Sequence, residues 1–241
     1  MKSLSILIPI YNEEESLQAL FDELKFSFEN NQSIEIIFIN DGSSDMSQKV
    51  IENEIANHST WKLINLYRNY GKSVALQSGI DIASNELIAT LDGDLQDDPK
   101  ELINLVRELN EDDVIVGWKK DRLDPLEKKI ASKIFNFFIK LFSGLKIKDS
   151  NSGIKVLKKE VAKSLNLYGG RHRYIPLLAH QKGFNVKEIP VNHRERKFGK
   201  SKYGAERYKH GFFDFMTILF LGKYMDRPCL LYTSDAADEP S

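Results

Sequence analysis

The sequence predicts an α/β fold built on a mainly parallel β-sheet flanked by helices. Short apolar, β-branched segments alternate with longer segments of helical periodicity, which is typical of parallel strands joined by crossover helices. The short segments are almost wholly apolar, as strands covered on both faces are. The composition, 41% hydrophobic and 29% charged over 241 residues, suits one large α/β domain, or a ligand-binding half with a smaller second half.

The first half of the chain supplies most of the predicted sheet. The predicted strands are Leu4–Ile10, Ile34–Asn40, Lys62–Tyr67, Glu86–Leu91 and Val114–Trp118. The predicted helices between them are Glu13–Glu29, Asp45–His58, Lys72–Ala83 and Lys100–Asn110. Asn12, with Glu15 three residues later, has the form of an N-cap for the first helix. Sheets of this kind bind ligands beyond the carboxyl ends of their strands, so polar residues that follow a strand are the candidates for a site.

The pattern changes after Trp118. We predict a long helix, a strand, a shorter helix, an extended segment and an aromatic-rich helical stretch, at Asp124–Phe142, Ser152–Leu157, Tyr174–Lys182, Val186–Val191 and Tyr203–Met225.

The charge distribution is uneven although the net charge is only -1. Basic residues dominate from Trp118 to Lys209, which suits phosphates or anionic lipid and is too diffuse to indicate nucleic acid. The single cysteine, Cys229, excludes an intrachain disulfide and favours a reducing compartment. The N-terminus has no signal-peptide pattern and no apolar run reaches the ~18 residues of a membrane span, so we expect the chain as given to be soluble or peripheral.

The strongest local motif is Asp92-Gly93-Asp94-Leu95-Gln96, at the end of the fourth predicted strand. Two carboxylates two residues apart on a turn can hold one hard divalent cation, Mg²⁺ or Mn²⁺, which then bridges diphosphate oxygens. Gln96 adds a third oxygen donor. The alternative is a solvated acidic turn, and the abrupt change from an apolar strand to Asp92 favours the metal site.

Two further polar clusters follow the first two strands. After the second strand, Asp41 can bond a base imino group or a ribose hydroxyl, whereas Ser44 and Asp45 are equally well explained as helix caps. After the first strand, Tyr11 can stack on a base and Glu13 can hydrogen-bond to it. The convergence of these clusters on one edge of the sheet predicts a single cleft.

These motifs together resemble the family-two glycosyltransferases with the GT-A fold, and within that family the dolichyl- and polyprenyl-phosphate mannosyl- and glucosyltransferases. The resemblance runs from the first strand to about Arg227, nearly the whole chain. The motifs that carry it are Pro9-x-Tyr11-Asn12-Glu13, Asn40-Asp41-Gly42-Ser43-x-Asp45, Arg68-Asn69-x-Gly71 and Asp92-Gly93-Asp94-Leu95-Gln96.

The resemblance assigns roles to residues in these motifs. It implies nucleotide contacts for Pro9, Tyr11, Glu13, Ile39 and Asp41, diphosphate-side contacts for Asp92, Gly93 and Asp94, and metal ligation by Asp94 and Gln96 with Asp92 beside them. Two departures stand out. Asn40 occupies a position that is often acidic, and Lys119, with Arg122 nearby, replaces an arginine that commonly follows the fifth strand. By the resemblance, Lys119 and Arg122 are expected to contact the nucleotide sugar. Lysine keeps the charge of arginine but loses its bidentate geometry.

The basic segment, His193–Tyr203, is the most informative downstream stretch. Its cations around Gly199 suit a loop that closes over a donor diphosphate and receives an acceptor phosphate. The resemblance assigns the phosphate contacts to Arg196 and Lys202, and a solvated basic loop is the alternative. Asp149–Lys155 resembles the family's acceptor-side motif, with Ile154-Lys155 where Phe-Arg is more usual, although a simple turn explains it almost as well.

The resemblance implies an inverting transferase that moves a hexose from a GDP-mannose- or UDP-glucose-class donor to polyprenyl phosphate at the cytoplasmic face of a membrane. Asp92, Asp94, Arg196 and Lys202 are the expected catalytic residues. A phosphate acceptor needs no strong general base, and no confident extra carboxylate is evident, which favours it over a sugar hydroxyl in polysaccharide synthesis. A non-catalytic nucleotide- or lipid-binding module is the second alternative.

The predicted organisation has four parts. Residues 1–118 form the nucleotide-sugar-binding half and residues 119–210 an acceptor-side half. Residues 211–229 suit an amphipathic, membrane-proximal helix, with a core helix as the alternative, and residues 230–241 form an atypical tail. Relatives of this kind continue into transmembrane helices after a segment like Lys223–Pro228, so we expect the full-length protein to be integral to the membrane.

Overall fold

The computed structural model describes residues 2–28, 31, 33–119, 144–145, 147–192, 194, 215–218 and 220. The strands are β1 (Leu4–Ile10), β2 (Ile34–Asn40), β3 (Trp61–Asn65), β4 (Leu87–Thr90), β5 (Val114–Lys119), β6 (Lys155–Lys158) and β7 (Val186–Val191). The helices are α1 (Glu14–Phe28), α2 (Ser47–Ile55), α3 (Lys72–Ile82), α4 (Glu101–Glu108), α5 (Lys159–Ser164) and α6 (Ile175–Gln181). A 3-10 turn, Arg171–Tyr174, precedes α6.

The seven strands form one sheet in the order β3-β2-β1-β4-β6-β5-β7. Pairing is parallel except at β6, which runs antiparallel to both β4 and β5. The predicted mainly parallel sheet is therefore confirmed. Strands from residues 1–118 and from residues 119–210 belong to the same sheet, because β6 and β7 extend it beyond β4.

Each face of the sheet has its own hydrophobic core, because successive side chains of a strand point to opposite faces. In β1, Ile6 and Ile8 pack on the face covered by α1, α2 and α4, whereas Leu7 packs on the opposite face. That opposite face is covered by α3, α5, α6 and the helical residues 215–218. Burial on both faces explains why β1, β2 and β4 are mostly apolar.

The helix α1 illustrates how the sequence determines this packing. Its buried residues recur at helical spacing and turn one face toward the sheet. Phe21 meets Phe38 of β2 edge-to-face, with 5.5 Å between ring centroids. Glu14 and Glu15 lie in its first turn, where negative charge is favourable to the helix dipole.

The chain reverses its crossover direction at β1, which has β2 on one side and β4 on the other. Such a reversal opens a crevice at the carboxyl ends of the two strands. The segments that follow β1, β2 and β4 therefore form the candidate cleft.

Some predicted elements differ from the structure or lie outside it. Tyr174 belongs to the 3-10 turn rather than to the following helix, and α5 was not predicted. The predicted helix Asp124–Phe142 and the tail 230–241 lie outside the described residues, as does most of Tyr203–Met225. Of the helices in the described ranges, none has both the length and the apolar character that crossing a membrane requires.

Candidate active site

The turn after β4 presents the predicted metal ligands on one side. Asp92, Asp94 and Gln96 keep part of their surface exposed, whereas Leu95 and Asp97 between and after them are buried. Leu95 has a φ of 61°, and the backbone N–H of Gln96 donates to Asp94 Oδ1 at 3.2 Å. The alternation follows from this turn and leaves Asp92, Asp94 and Gln96 partly exposed just beyond the carboxyl end of β4.

The donor set consists of two carboxylates and an amide. Within the described ranges, no group of three or more His, Cys, Asp or Glu side chains is arranged to hold a metal ion. Oxygen ligands of this kind suit Mg²⁺ or Mn²⁺, which typically retain positions for water and substrate phosphate oxygens. The residues present therefore fit a metal that is held jointly by protein and diphosphate.

Lys72, the first residue of α3, forms an ion pair with Asp92. Burial alone would raise the pKa of the Asp92 carboxyl, but Lys72, with Lys119 and Lys155 farther away, lowers it well below its usual range. Asp92 is consequently ionised at neutral pH. Lys72 was not among the predicted site residues, because its proximity to Asp92 depends on the packing of α3 against β1 and β2.

Buried charges lie beneath Asp92. Lys119 Nζ is 2.8 Å from Asp97 Oδ1, with side-chain exposures of 12% and 1%. Burial lowers the pKa of Lys119, but the carboxylates of Asp97, Asp92 and Asp149 together raise it above its ordinary value. Lys119 was predicted to contact the nucleotide sugar, and here its charge is directed at Asp97, a residue that the sequence analysis did not single out.

Lys155 is another buried cation of this region, with only 3% of its surface exposed. Its ammonium donates to the Ser152 carbonyl. Burial and the positive charge of Lys72 lower its pKa to about 8, against the opposing effect of Asp92, Asp149 and Asp97. The carboxylates of Asp92, Asp97 and Asp149 thus lie near two buried cations, Lys119 and Lys155.

Gly153 brings the acceptor-side motif into direct contact with the metal-motif turn, the turn after β4 that carries Asp92, Asp94 and Gln96. A Cβ at this position would lie 2.7 Å from Asp92 Oδ2 and 2.8 Å from Asp97 Oδ2. The Gly153 carbonyl accepts a hydrogen bond from Thr90 Oγ1 at 2.7 Å. The motif Asp149–Lys155 is therefore more than a turn, since the antiparallel β6 delivers it to the floor of the cleft.

Asp41 lies at the end of β2 and is only 4% exposed. Its two carboxylate oxygens accept backbone N–H groups of Tyr70 and Gly71, at 2.8 and 2.9 Å. Burial raises the pKa of its carboxyl, against the lowering effect of these bonds. At Gly42, which has a φ of 68°, a Cβ would collide with the backbone of Arg68. Asp41 and Gly42 thus hold the β3–α3 loop against the end of β2.

The loop after β1 is linked to the loop after β2. The backbone N–H of Ser44 donates to Asn12 Oδ1 at 2.8 Å, and that of Glu13 donates to Ser47 Oγ at 3.0 Å. The prediction that Asn12 is the N-cap of α1 is wrong, because α1 begins at Glu14 and Glu13 occupies that position. Asn12 instead has a φ of 51° and joins the two loops.

The other predicted nucleotide contacts lie around these loops. Tyr11 is 36% exposed. Pro9 lies within β1 beside Ile39 of β2. The Ile39 side chain is fully buried and packs in the core with α3, so that it has a packing role. Gly93 lies against β1, where a Cβ would come within 2.5 Å of the Ile10 side chain.

Arg194 attaches the start of the basic segment to the metal-motif turn. Its backbone N–H donates to the Gln96 carbonyl at 2.9 Å. Its guanidinium forms ion pairs with Asp98 and with Glu23 of α1, the latter at 2.7 Å. Arg122, Arg196 and Lys202 lie outside the described residues.

His172, in the 3-10 turn, is a further residue at the cleft that the sequence analysis missed. Its Nδ1 is 2.9 Å from Ser73 Oγ of α3, and its backbone N–H donates to the same oxygen at 3.0 Å. Burial, together with Lys72, Arg173 and Lys155, lowers its pKa well below the ordinary value, so the ring is neutral near pH 7. No local motif signals the contact between His172 and Ser73, because the two residues meet only in the folded chain.

The fold and the site correspond to a known family. Residues 5–165 match Glycosyl transferase family 2. The chain belongs to glycosyltransferase family 2. The matched range includes β1 to β6, and with them Asp92 to Gln96, Asp149 and Lys155.

Curated relatives of this family-2 glycosyltransferase extend over most of its length. It is 34% identical over 232 residues to dodecaprenyl-phosphate galacturonate synthase of Rhizobium johnstonii, covering 93% of this chain and 69% of that one. It is 36% identical over 224 residues to undecaprenyl-phosphate 4-deoxy-4-formamido-L-arabinose transferase of Yersinia pestis, covering 91% of this chain and 68% of that one.

Solved structures confirm the GT-A fold. A mannosyltransferase from Pyrobaculum calidifontis in complex with GDP-Man and Mn²⁺ superposes with a TM-score of 0.66 at 14% identity, covering 100% of this chain and 76% of that one. Glucosyl-3-phosphoglycerate synthase from Mycobacterium tuberculosis, with Mn²⁺, UDP-glucose and phosphoglyceric acid, superposes with a TM-score of 0.63 at 13% identity, covering 83% and 73%.

Proposed function

We propose that this family-2 glycosyltransferase moves a sugar from a nucleotide-sugar donor to the phosphate of a polyprenyl phosphate, with inversion at the anomeric carbon. The observation that carries this proposal is the pair of relatives at 34% and 36% identity. Their names contain different sugars, a galacturonate and a 4-deoxy-4-formamido-L-arabinose, but both contain a polyprenyl phosphate. The shared acceptor class is therefore better supported than any particular sugar.

The donor diphosphate is proposed to bind at the turn after β4. Asp94 and Gln96, with Asp92 beside them, would hold Mg²⁺ or Mn²⁺, which neutralises charge on the departing diphosphate. Mn²⁺ in the solved relatives with the same fold supports this choice of cation.

The nucleotide and the phosphates occupy adjacent parts of the proposed site. Tyr11 is exposed at the edge where a base would stack, and Glu13 follows it. Asp41 fixes the β3–α3 loop beside this edge. Pro9, Ile39 and Gly93 shape the walls, and the proposed phosphate contacts from the second half are Lys119, Arg122, Arg196 and Lys202.

The reaction is a direct displacement. A phosphate oxygen of the acceptor attacks the anomeric carbon, the bond from that carbon to the donor diphosphate breaks, and its electron pair leaves with the nucleoside diphosphate. The nucleophile is already an anion, so no general base is required. Asp97 and Asp149, whose carboxylates act together with that of Asp92 on Lys119 and Lys155, are buried, which suits a phosphate better than a sugar hydroxyl.

Because a polyprenyl phosphate is a lipid, an enzyme that uses it must act at a membrane surface. We propose that the chain acts as a peripheral part of its protein at the cytoplasmic face, with residues 211–229 lying near the membrane. Of these, Phe215 and Ile218 are buried in the core, whereas Met216 and Phe220 are exposed at 47% and 50%. Among the described residues of this stretch, apolar side chains thus occur both in the core and at the surface.

The decisive experiment follows transfer of radiolabelled sugar into the organic phase. Purified protein in detergent is incubated with undecaprenyl phosphate, Mn²⁺ or Mg²⁺, and in turn GDP-mannose, UDP-glucose and UDP-galacturonate. We expect label in the lipid fraction with one donor. Asp94→Ala should reduce the rate at least ~100-fold because it removes a ligand of the diphosphate-bound metal. Asp81→Ala, on the exposed side of α3, is the matched control and should retain activity.

Three outcomes contradict the proposal in different ways. Label transferred only to a sugar or polysaccharide hydroxyl supports the polysaccharide alternative. Nucleotide-sugar binding without turnover supports the non-catalytic alternative. Full activity in EDTA, or in Asp94→Ala, overturns the metal assignment while leaving the acceptor assignment standing.

A further inference from the structure

The 3-10 turn Arg171–Tyr174 is positioned firmly against α3. Tyr174 is fully buried at one end of the turn and stacks on Phe215, with 6.2 Å between ring centroids. His172 contacts Ser73, which is 1% exposed, through both its backbone N–H and its ring. The position of the imidazole is therefore fixed from both sides.

The contacts with Ser73 indicate which ring nitrogen carries the hydrogen. Ser73 Oγ already accepts the backbone N–H of His172 at 3.0 Å, and its own O–H is available to donate to Nδ1 at 2.9 Å. A neutral imidazole whose Nδ1 accepts a hydrogen bond carries its hydrogen on Nε2. Burial and the neighbouring cations lower the pKa of His172, which keeps this tautomer neutral near pH 7.

The Nε2 edge of the ring is turned away from Ser73, because the Nδ1 edge contacts Ser73 Oγ. The Nδ1 edge faces the buried Ser73, yet His172 as a whole keeps part of its surface exposed. Ser73 directly follows Lys72, whose ammonium pairs with Asp92. His172 and Asp92, the proposed metal ligand, thus contact two neighbouring residues of α3, Ser73 and Lys72.

The charges around His172 favour the binding of an anion. Lys72, Arg173 and Lys155 each act on His172 as positive charges, with Asp92 as the opposing negative charge. A neutral N–H donor among cations suits a phosphate oxygen, because it donates without needing to lose or gain a proton.

We propose that His172 binds the acceptor, with its Nε2–H donating a hydrogen bond to the phosphate that attacks the anomeric carbon. This inference rests on the proposed function, since it assigns the acceptor phosphate of that reaction to a subsite beside Asp92. The hydrogen bond orients the phosphate dianion, and the hydrogen stays on His172 throughout. The ligand chemistry is a phosphate monoester, from a polyprenyl phosphate or from a soluble compound.

Two isosteric variants of His172 separate acceptor binding from structural support. His172→Asn places an amide oxygen near the Nδ1 position and can keep the bond with Ser73, but it removes the Nε2 donor. His172→Gln places an amide near the Nε2 position and loses the Nδ1 acceptor. His180→Asn, at the exposed end of α6, is the matched control. Initial rates against undecaprenyl phosphate and against the donor give kcat and both KM values, and nucleotide binding and thermal unfolding verify that each variant is folded.

We expect kcat/KM for undecaprenyl phosphate to fall about 10- to 100-fold in His172→Asn, the loss expected for a hydrogen bond to a charged group. His172→Gln should recover at least ~5-fold of that loss, and the KM for the donor should stay within ~2-fold. The opposite order, with Asn active and Gln impaired, would mean that the bond to Ser73 matters and would overturn the proposal. A parallel loss of donor affinity in both variants would overturn it as well.

The failure of the broader function can be distinguished in the same assay. If the wild-type protein ignores undecaprenyl phosphate but glycosylates glycerol 3-phosphate or 3-phosphoglycerate, the lipid acceptor is wrong. The same order of variants with that soluble acceptor then supports the phosphate subsite. If the wild-type protein glycosylates only hydroxyl groups of sugars, the subsite falls together with the lipid acceptor.

Discussion

At the scale of single residues, the site depends on charges placed where water is scarce. Asp92 and Asp97 approach each other across Gly153, and Lys72 and Lys119 each pair with one of them. Buried charges are costly unless they are paired. Moving any one of these charged side chains should therefore destabilise the others. The sensitivity concentrates at Gly153, where there is no room for a side chain.

Gly153→Ala should therefore impair catalysis more than stability. The new Cβ would lie 2.7 Å from Asp92 Oδ2, and the carboxylate must move to accommodate it. We expect the transfer rate to fall about 100-fold and the free energy of unfolding to fall by about 1–3 kcal/mol. Gly183→Ala, with a φ of 86° and open space around it at the end of α6, is a control that loses stability through backbone strain alone. Equal activity of the two variants would contradict the role given to Gly153.

Asp41→Asn tests the structural role of the carboxylate after β2. The amide would turn an NH₂ group toward a backbone N–H of Tyr70 or Gly71, leaving two donors opposed. We expect the free energy of unfolding to fall by about 1–3 kcal/mol without any ligand present. Urea unfolding measures it, with Asp22→Asn on the exposed side of α1 as control. If stability is unchanged while nucleotide affinity drops, Asp41 serves the ligand alone.

At the scale of elements, the strands are held at their amino ends by Glu35 of β2. It accepts hydrogen bonds from Ser5 of β1 and Lys62 of β3, and from the backbone N–H and side-chain O–H of Ser84 before β4. Burial raises the pKa of its carboxyl, but these bonds outweigh the effect and lower the pKa from 4.5 to about 2. One carboxylate thus connects neighbouring elements of the sheet.

The pH dependence of this contribution has a definite sign. Glu35 binds a proton less readily in the folded than in the unfolded state, so its contribution is complete above about pH 4.5 and is lost as the pH falls toward 2. Between about pH 5 and about pH 2.5 the wild-type protein should lose about 2 kcal/mol more than Glu35→Gln. Urea unfolding at a series of pH values measures the difference. Parallel pH profiles for both proteins would contradict the assignment.

The strands differ in how far their bounds and positions can be predicted from the sequence. The bounds of β1 and β2 agree with the predicted strands, because apolar segments bounded by polar residues are local signals, and those of β7 agree with the predicted extended segment. The position of β6 between β4 and β5, and its reversed direction, depend on pairing between distant residues such as Thr90 and Lys155. The motif alone therefore does not reveal that Gly153 and Lys155 lie near Asp92 in the folded chain.

At the scale of the whole molecule, the predicted motifs converge as expected, but their supports were not predicted. The loops after β1, β2 and β4 meet at the crevice beside β1, and this follows from the parallel topology. Lys72, Asp97 and His172 belong to no recognised motif, and their contacts join residues that are distant in the sequence. The sequence thus predicts the polar residues that follow the strands better than the residues that contact them from elsewhere in the fold.

Arg194 connects distant parts of the chain, and its removal provides the last test. Its guanidinium joins Glu23 of α1 to Asp98, and its backbone N–H binds the carbonyl of Gln96. Arg194→Ala should lower the free energy of unfolding by about 1–2 kcal/mol, since these pairs are partly exposed and partly screened. It should also raise the half-saturating Mn²⁺ concentration about 10-fold, because the turn that carries Asp94 and Gln96 loses a support.

Titration of transfer activity with Mn²⁺ and thermal unfolding together test this coupling. Arg107→Ala, on the exposed side of α4, removes the same charge without touching the metal-motif turn and should change neither quantity appreciably. High salt should narrow the stability difference between the wild-type protein and Arg194→Ala, because the ion pairs are screened. A loss of stability with an unchanged Mn²⁺ requirement would mean that Arg194 joins α1 to the segment after β4 without influencing the metal ligands. A changed Mn²⁺ requirement would mean that the start of the basic segment and the metal site act as one unit.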